Sequence, residues 1–161
     1  MSQRTSPPLS SELVTFLESG LSLLVGTCDR DLQPEAVRAV GLRVWPGSSQ
    51  LTIYLAAATS ARAVANARET RQLAVTLSYP PTHRTLQIKG PVRDVREAGP
   101  AERELVDRYI EAFADNLAIV GLPRSTTRRM TRWPAFAVDI DIGEVFGQTP
   151  GPGAGNRMQS P

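Results

Sequence analysis

The sequence predicts a mainly β domain, a small six-stranded antiparallel barrel with peripheral helices. Three observations carry this reading. Six apolar or alternating runs have strand length, most are joined by short turn-rich links, and helical periodicity is confined to the start, to one segment after the third strand, and to a late block. A chain of 161 residues is long enough to bury a core without disulfide or metal staples, and 41% hydrophobic against 21% charged residues describes an ordinary globular domain.

The elements follow in order. The segment 10–20 reads as a short helix: Ser10 can cap it, Leu13, Phe16 and Leu17 share a face, and Gly20 ends it. Leu21–Thr27 is an apolar run too short for a helix, and Asp29-Arg30-Asp31 turns the chain into a second strand over 35–45. Pro46-Gly47-Ser48-Ser49 predicts a hairpin into a third strand, 51–57, with Leu51, Ile53 and Leu55 on one face. Thr59-Ser60 opens a helix ending near Arg71. Leu73, Val75, Leu77 and Tyr79 alternate with polar or small residues in a fourth strand that Pro80-Pro81 stops. The fifth strand, 84–96, carries an expected bulge at Gly90-Pro91.

The most periodic helix spans 102–120, with Leu105, Tyr109, Ala112, Phe113, Leu117 and Val120 as its apolar stripe, and a smaller helix is placed at 125–131. Phe136, Val138, Ile140 and Ile142 alternate in the sixth strand. No repeat or linker divides the chain, so it reads as a flexible N-terminus at 1–8, one barrel domain at 9–147, and a Gly/Pro-rich arm or disordered tail at 148–161.

Composition narrows the chemistry. A single cysteine, Cys28, excludes an intrachain disulfide and a cysteine-cluster zinc site, and a single histidine, His83, leaves little for imidazole metal ligation. Cys28 is read as a buried small hydrophobe, Trp45 and Trp133 as packing residues. There is no nucleophile elbow, glycine-rich phosphate loop or paired-carboxylate motif, so any catalysis is expected to run through a borrowed cofactor. The polar start lacks the apolar stretch of a signal peptide, which places the protein in the cytoplasm and off the membrane. The net charge is only +2, too small a footprint to favour nucleic acid, even though Arg124, Arg128, Arg129 and Arg132 form a dense basic stretch.

Lys89 is the sole lysine, so 17 of 18 basic residues are arginine, whose guanidinium offers a fork of donors to an oxyanion. A phosphate-friendly set emerges: Arg38 and Arg43 on the second strand, then Thr59-Ser60-Ala61-Arg62 at the start of a helix, where free N–H groups and a partial positive charge attract phosphate. Arg38 and Arg43 are five residues apart, so a regular strand points them to opposite faces. They reach one ligand only if the strand is interrupted, and an irregularity near Gly41 is therefore predicted.

The order Arg38-Ala-Val-Gly-Leu-Arg43, hairpin, Ile53-Tyr54, Ser60-Ala61-Arg62, then Arg84-Thr-Leu-Gln-Ile-Lys-Gly-Pro-Val92 resembles the pyridoxamine 5′-phosphate oxidase-like FMN-binding split barrels. The resemblance implies a split barrel and a homodimer with FMN at the subunit interface. It also implies that Arg38, Val40 and Arg43 approach the phosphate and ring region, Tyr54 with Leu55 forms the strand end beside the flavin, and Thr59, Ser60, Ala61 and Arg62 form the phosphate-binding turn. Thr85 falls where oxidases of the family place a glutamine that reaches the partner's flavin, and Gln87, one strand repeat on, can take its place. The substrate-gripping segments of true pyridoxamine phosphate oxidases have no counterpart in 100–120 or after 148. The expected function is thus an FMN-dependent oxidoreductase acting on an unidentified small molecule. The alternatives are a deazaflavin (F420) or haem barrel, with His83 as the one imidazole, and a non-catalytic flavin-binding protein.

Overall fold

The computed structural model describes residues 9–158. The reading of 1–8 as a flexible N-terminus lies outside the described residues. The elements are α1 (Ser11–Leu17), β1 (Ser22–Cys28), β2 (Pro34–Arg38), β3 (Gly41–Val44), β4 (Gln50–Ala56), α2 (Ala61–Thr70), β5 (Gln72–Ser78) and β6 (Thr85–Glu97). A 3₁₀ turn at Pro100–Glu102 leads into α3 (Arg103–Ile119), followed by α4 (Arg124–Arg128), β7 (Ala135–Asp141) and β8 (Glu144–Gly147).

All pairings are antiparallel, in the order β2-β1-β5-β6-β7-β4-β3, with β8 also on β6. The mainly β antiparallel architecture with helices around it is as expected, but the described residues hold eight strands rather than six. Two local causes account for the difference. The expected strand over 35–45 divides at Ala39-Val40: the Ala39 N–H donates to Leu23 O at 3.1 Å, whereas the Val40 N–H donates to Tyr54 O at 2.8 Å, so the chain leaves β1 and joins β4 between two residues. The eighth strand, β8, is four residues long and fully buries only Val145, too little for alternation to reveal it.

The two ends of the sheet order, β2 and β3, are thus consecutive in the chain, and no ladder joins them. This is the split in the barrel. The long strand β6 spans it. Its first half pairs β5 and β8, its second half pairs β7, and the register shift falls between Val92 and Asp94 rather than at Gly90-Pro91. Gly90 has a different task, since its missing side chain lets β6 pass the Asp141 carbonyl.

One core fills the barrel and the undersides of α1 and α2, with Leu17, Val75, Leu77, Ile88 and Ile140 at its centre. A second core lies between α3 and the other face of β4 and β7, where Val40, Tyr54, Ala56 and Ala137 meet Val106 and Ile110. Because both faces of β4 are covered, Leu51–Ala56 is buried throughout and not merely on one face. The buried stripe of α3 is Val106, Tyr109, Ile110, Phe113 and Ala114, and Val120, placed in the stripe by periodicity, is exposed. Tertiary anchors choose this face: the Tyr109 hydroxyl donates to Leu17 O and accepts from the Leu21 N–H, and Asn116 donates to Ser19 O and Gly20 O.

After β8 the chain turns back on itself over 148–158. Gln148 N–H donates to Thr85 O, Gly155 N–H to Gly147 O and Met158 N–H to Val145 O, so it doubles back along β8.

Candidate functional site

The break at Ala39-Val40 decides where the two strand arginines go. Arg38 remains on β2, donates to Ser22 Oγ at 2.9 Å and lies over the Phe113 ring at 5.9 Å. Arg43, on β3, stacks over Trp45 at 4.3 Å in a cleft of about 620 Å³ that also presents Glu18, Leu105, Arg108 and Tyr109. Arg38 thus lies by Phe113 of α3, and Arg43 stands in a separate cleft that Leu105, Arg108, Tyr109 and Ala112 of α3 also line. The interruption lies one residue before Gly41.

At the β4–α2 turn, Ser60 is buried and its hydroxyl donates to Ala56 O at 2.7 Å, so its single hydrogen is already used. Among the described residues no side chain caps α2, which leaves the N–H groups of its first turn available. Thr59, Ala61 and Arg62 beside them are exposed. Arg62 has only a long contact to Glu35 on β2, 3.7 Å. Glu35 and Arg38 are three residues apart in a strand and so face opposite ways. Within one chain, then, Arg62 and Arg38 serve different faces of β2.

Strand register assembles a second group. Arg38, Leu24, Thr76, Gln87 and Phe146 lie opposite one another in one row across β2, β1, β5, β6 and β8. The next row carries Ser22, Ser78 and Thr85, whose hydroxyls on β5 and β6 are 2.9 Å apart. Thr85 also donates to His83 O, and Gln87 donates to Thr76 Oγ1 at 3.3 Å. The row beside these carries the small residues Ala36, Gly26 and Ala74 and ends in the charged Lys89 and Glu144, and Leu24 is 47% exposed among the small ones. Arg38, Thr85 and Gln87 therefore share one sheet face.

Val40, Tyr54 and Leu55 are buried side chains. Tyr54 belongs to a polar chain that the sequence reading missed. Its hydroxyl donates to Glu102 Oε1 at 2.9 Å, and Arg96 holds both carboxylate oxygens of Glu102 at 2.7 and 2.8 Å. The Gly99 N–H adds a further bond at 2.7 Å. Arg96 also lies 3.7 Å from Asp139, which accepts from Thr52 at 2.6 Å, and Thr52 in turn accepts from the Trp45 indole N–H at 2.9 Å. The Arg96 bond, aided by the Gly99 and Tyr54 donors, holds the Glu102 carboxyl down at about 2. Burial, then the Glu102 acceptor, pushes the Tyr54 hydroxyl well above its ordinary value, so it stays a donor. No local motif links residues 45, 52, 54, 96, 102 and 139; strand register brings 52, 54, 96 and 139 together, and the β3–β4 hairpin and the 3₁₀ turn add Trp45 and Glu102.

The remaining singled-out residues find plain places. Cys28 is half-buried at the end of β1, short of the full burial expected of it. His83 is exposed in the β5–β6 turn with a left-handed backbone (φ 59°). Trp133 packs against the second core. No helix among the described residues is long and apolar enough to cross a membrane.

A β-domain split between β2 and β3, bridged by one long bent strand and carrying a helix immediately after β4, has the fold of the pyridoxamine 5′-phosphate oxidase-like split barrels. Solved structures similar to it include a candidate pyridoxamine 5′-phosphate oxidase from Lactobacillus delbrueckii, at 18% identity and TM-score 0.55, covering 87% of this chain and 94% of that one. An F420 reductase matches at 19% and 0.54, covering 86% and 97%. An FMN-binding protein from Syntrophomonas wolfei matches at 12% and 0.50, covering 84% and 85%. No protein-family model and no curated protein matches the sequence.

Proposed function

We propose that this chain binds FMN and serves as a homodimeric cytoplasmic oxidoreductase for a small molecule. The observation that carries the reading is the uncapped N-terminus of the ten-residue helix α2, flanked by the exposed Thr59, whose hydroxyl makes only a long 3.5 Å bond to Ala56 O, and by the weakly engaged Arg62. Backbone N–H groups, a helix dipole, one hydroxyl and one guanidinium are the donor set a phosphate monoester requires. Ser60 contributes through its backbone, its hydroxyl being spent on Ala56 O.

When bound, FMN supplies a hydride acceptor and donor at its ring. The chain's own part is to grip the phosphate at 59–62; positive charge beside the ring comes from Arg43 or, since Arg38 lies on the other face of β2, from the Arg38 of a second copy. The row Arg38–Leu24–Thr76–Gln87 lies on a face of small residues with an exposed leucine at its middle, suited to a second copy. Pairing through this face brings a partner's Thr85 and Gln87 toward the flavin. A mixed face of this kind that remains in water costs little, so the dimer is expected to break on a single charge: Leu24→Arg should convert it to monomer in sedimentation equilibrium. A wild-type monomer would overturn the dimer reading.

The cofactor test is a titration with FMN followed by absorbance and equilibrium dialysis. FMN is expected to bind and riboflavin to bind at least about tenfold more weakly, since riboflavin lacks the phosphate. Arg62→Glu is expected to weaken FMN by a factor of about 100, because it replaces an attraction with a repulsion. Absence of FMN binding overturns the proposal. An F420 cofactor is the second reading, favoured by the likeness to an F420 reductase and by the surplus of exposed arginines for an acidic tail. Binding of F420 but not FMN in the same titration selects it. Haem would have to use His83 in its exposed turn. A flavin that binds but is reduced by no nicotinamide donor marks the non-catalytic alternative.

A further inference from the structure

The basic stretch 124–132 has a partner inside the chain. Asp107, Glu111 and Asp115 recur every fourth residue on α3, and Arg132, Arg128 and Arg124 recur every fourth residue on the segment returning along it. The three pairs close antiparallel: Arg124 with Asp115 at 2.9 Å, Arg128 with both oxygens of Glu111 at 2.7 and 3.0 Å, and Arg132 with Asp107 at 2.6 Å. Little else holds α4. Its sequence, Arg-Ser-Thr-Thr-Arg, buries one residue, Thr127, whose hydroxyl is buried without a hydrogen-bond partner. Beyond Arg128 the segment rests on the second core through Met130 and Trp133, both only half-buried.

We propose that 121–133 is a flap latched to α3 by this arginine–carboxylate zipper, opening as a unit when the zipper is screened. The carboxylates and arginines are mostly half-exposed, so salt reaches them. The screening length falls from about 8 Å at physiological ionic strength to about 3 Å at 1 M. Solvent-exposed pairs are individually weak, but three in register with one bidentate member shift an opening equilibrium together by a factor of about ten. Opening lifts Trp133 and Met130 off the core that contains Tyr54 and Val40. Three of the four arginines of the basic stretch, Arg124, Arg128 and Arg132, are therefore internal fasteners paired with α3, and Arg129 stays exposed beside them.

The experiment is amide hydrogen exchange on the intact chain at 20 mM and at 1 M NaCl. It is read together with the emission of Trp133 in a Trp45→Phe background, where Trp133 is the sole tryptophan. Exchange in 121–133 is expected to accelerate about tenfold at high salt and Trp133 emission to shift to the red, with β4 and β7 amides unchanged. Glu111→Gln should produce most of that change already at low salt, and the swapped pair Glu111→Arg with Arg128→Glu should restore protection. Exchange in the segment that ignores both salt and Glu111→Gln overturns the latch. Acceleration of segment and sheet together overturns it as well, because the chain then opens as a whole.

Discussion

Gly90→Ala is expected to be the most damaging single-methyl substitution in the barrel. A Cβ at this position falls 1.7 Å from the Asp141 carbonyl oxygen and 2.9 Å from its carbon. Neither is the free end of a side chain that can swing aside. Both belong to the backbone leaving β7, and Gly143 N–H is tied to Lys89 O at 2.9 Å on the same crossing. Relief requires β6 and β7 to separate where β6 passes from one sheet to the other, which breaks ladder bonds on both sides. Overpacking in a core ordinarily costs about 1–3 kcal/mol, and a backbone collision belongs above that range. A loss of about 4 kcal/mol, or roughly 10 °C in Tm for a chain of this size, is the expected result by urea and thermal unfolding. Gly26→Ala is the control: its Cβ meets nothing nearer than 4.0 Å and should change monomer stability by less than about 0.5 kcal/mol. Equal effects at the two positions would show that the β6 crossing yields.

Acidification should destabilise the fold through Glu102. Its carboxyl titrates at about 2 in the fold against an ordinary value of 4.5, held down chiefly by the Arg96 bond. A depressed carboxylate contributes stability that is complete above its unfolded value and is lost as pH falls through its folded one. The window is therefore from about 5 down to about 2. The contribution is of order 3 kcal/mol, reduced by water at the exposed edge of Arg96, whose side chain is 35% accessible. Glu102→Gln retains the shape but removes the charge facing Arg96. It should cost about 2 kcal/mol at pH 7 and flatten the acid limb of the stability curve. Urea midpoints from pH 7 to pH 2.5 measure both, and parallel acid losses in wild type and variant would assign the effect to other carboxylates.

The elements of the barrel were legible because their signals are local. The alternation of Leu73, Val75 and Leu77, the cap Ser10, which accepts from the Leu13 N–H at 3.3 Å, and the prolines after Tyr79 act within a few residues of themselves. The interruption before Gly41 was legible only by joining parity to the resemblance: a regular strand points Arg38 and Arg43 to opposite sides, and the resemblance asks both to reach one ligand. The strand count was not. One continuous β-pattern over 35–45 cannot announce that its halves will pair with β1 and with β4, and four residues of β8 carry one buried side chain. The stripe on α3 was rotated along its length, with Val106, Ile110 and Ala114 buried and Leu105, Ala112 and Leu117 only half-buried, because periodicity cannot know that Tyr109 and Asn116 will be drawn to the chain that ends α1.

The candidate site divides along the same line. The sequence by itself determined the backbone of the turn proposed to hold phosphate: a strand, a hydroxyl pair and a helix start at 59–62 with an arginine in its first turn. Tertiary structure alone decided what those groups are free to do. It consumed the Ser60 hydroxyl, buried Tyr54 against Glu102, put Arg38 in one row with Gln87, and spent three of the four arginines of the densest run on α3. Local patterns set conformation through interactions within a turn or a strand pair, whereas availability depends on which distant group arrives first. The register between strands and the docking of α3 settle that, and neither is written in any short stretch of the chain.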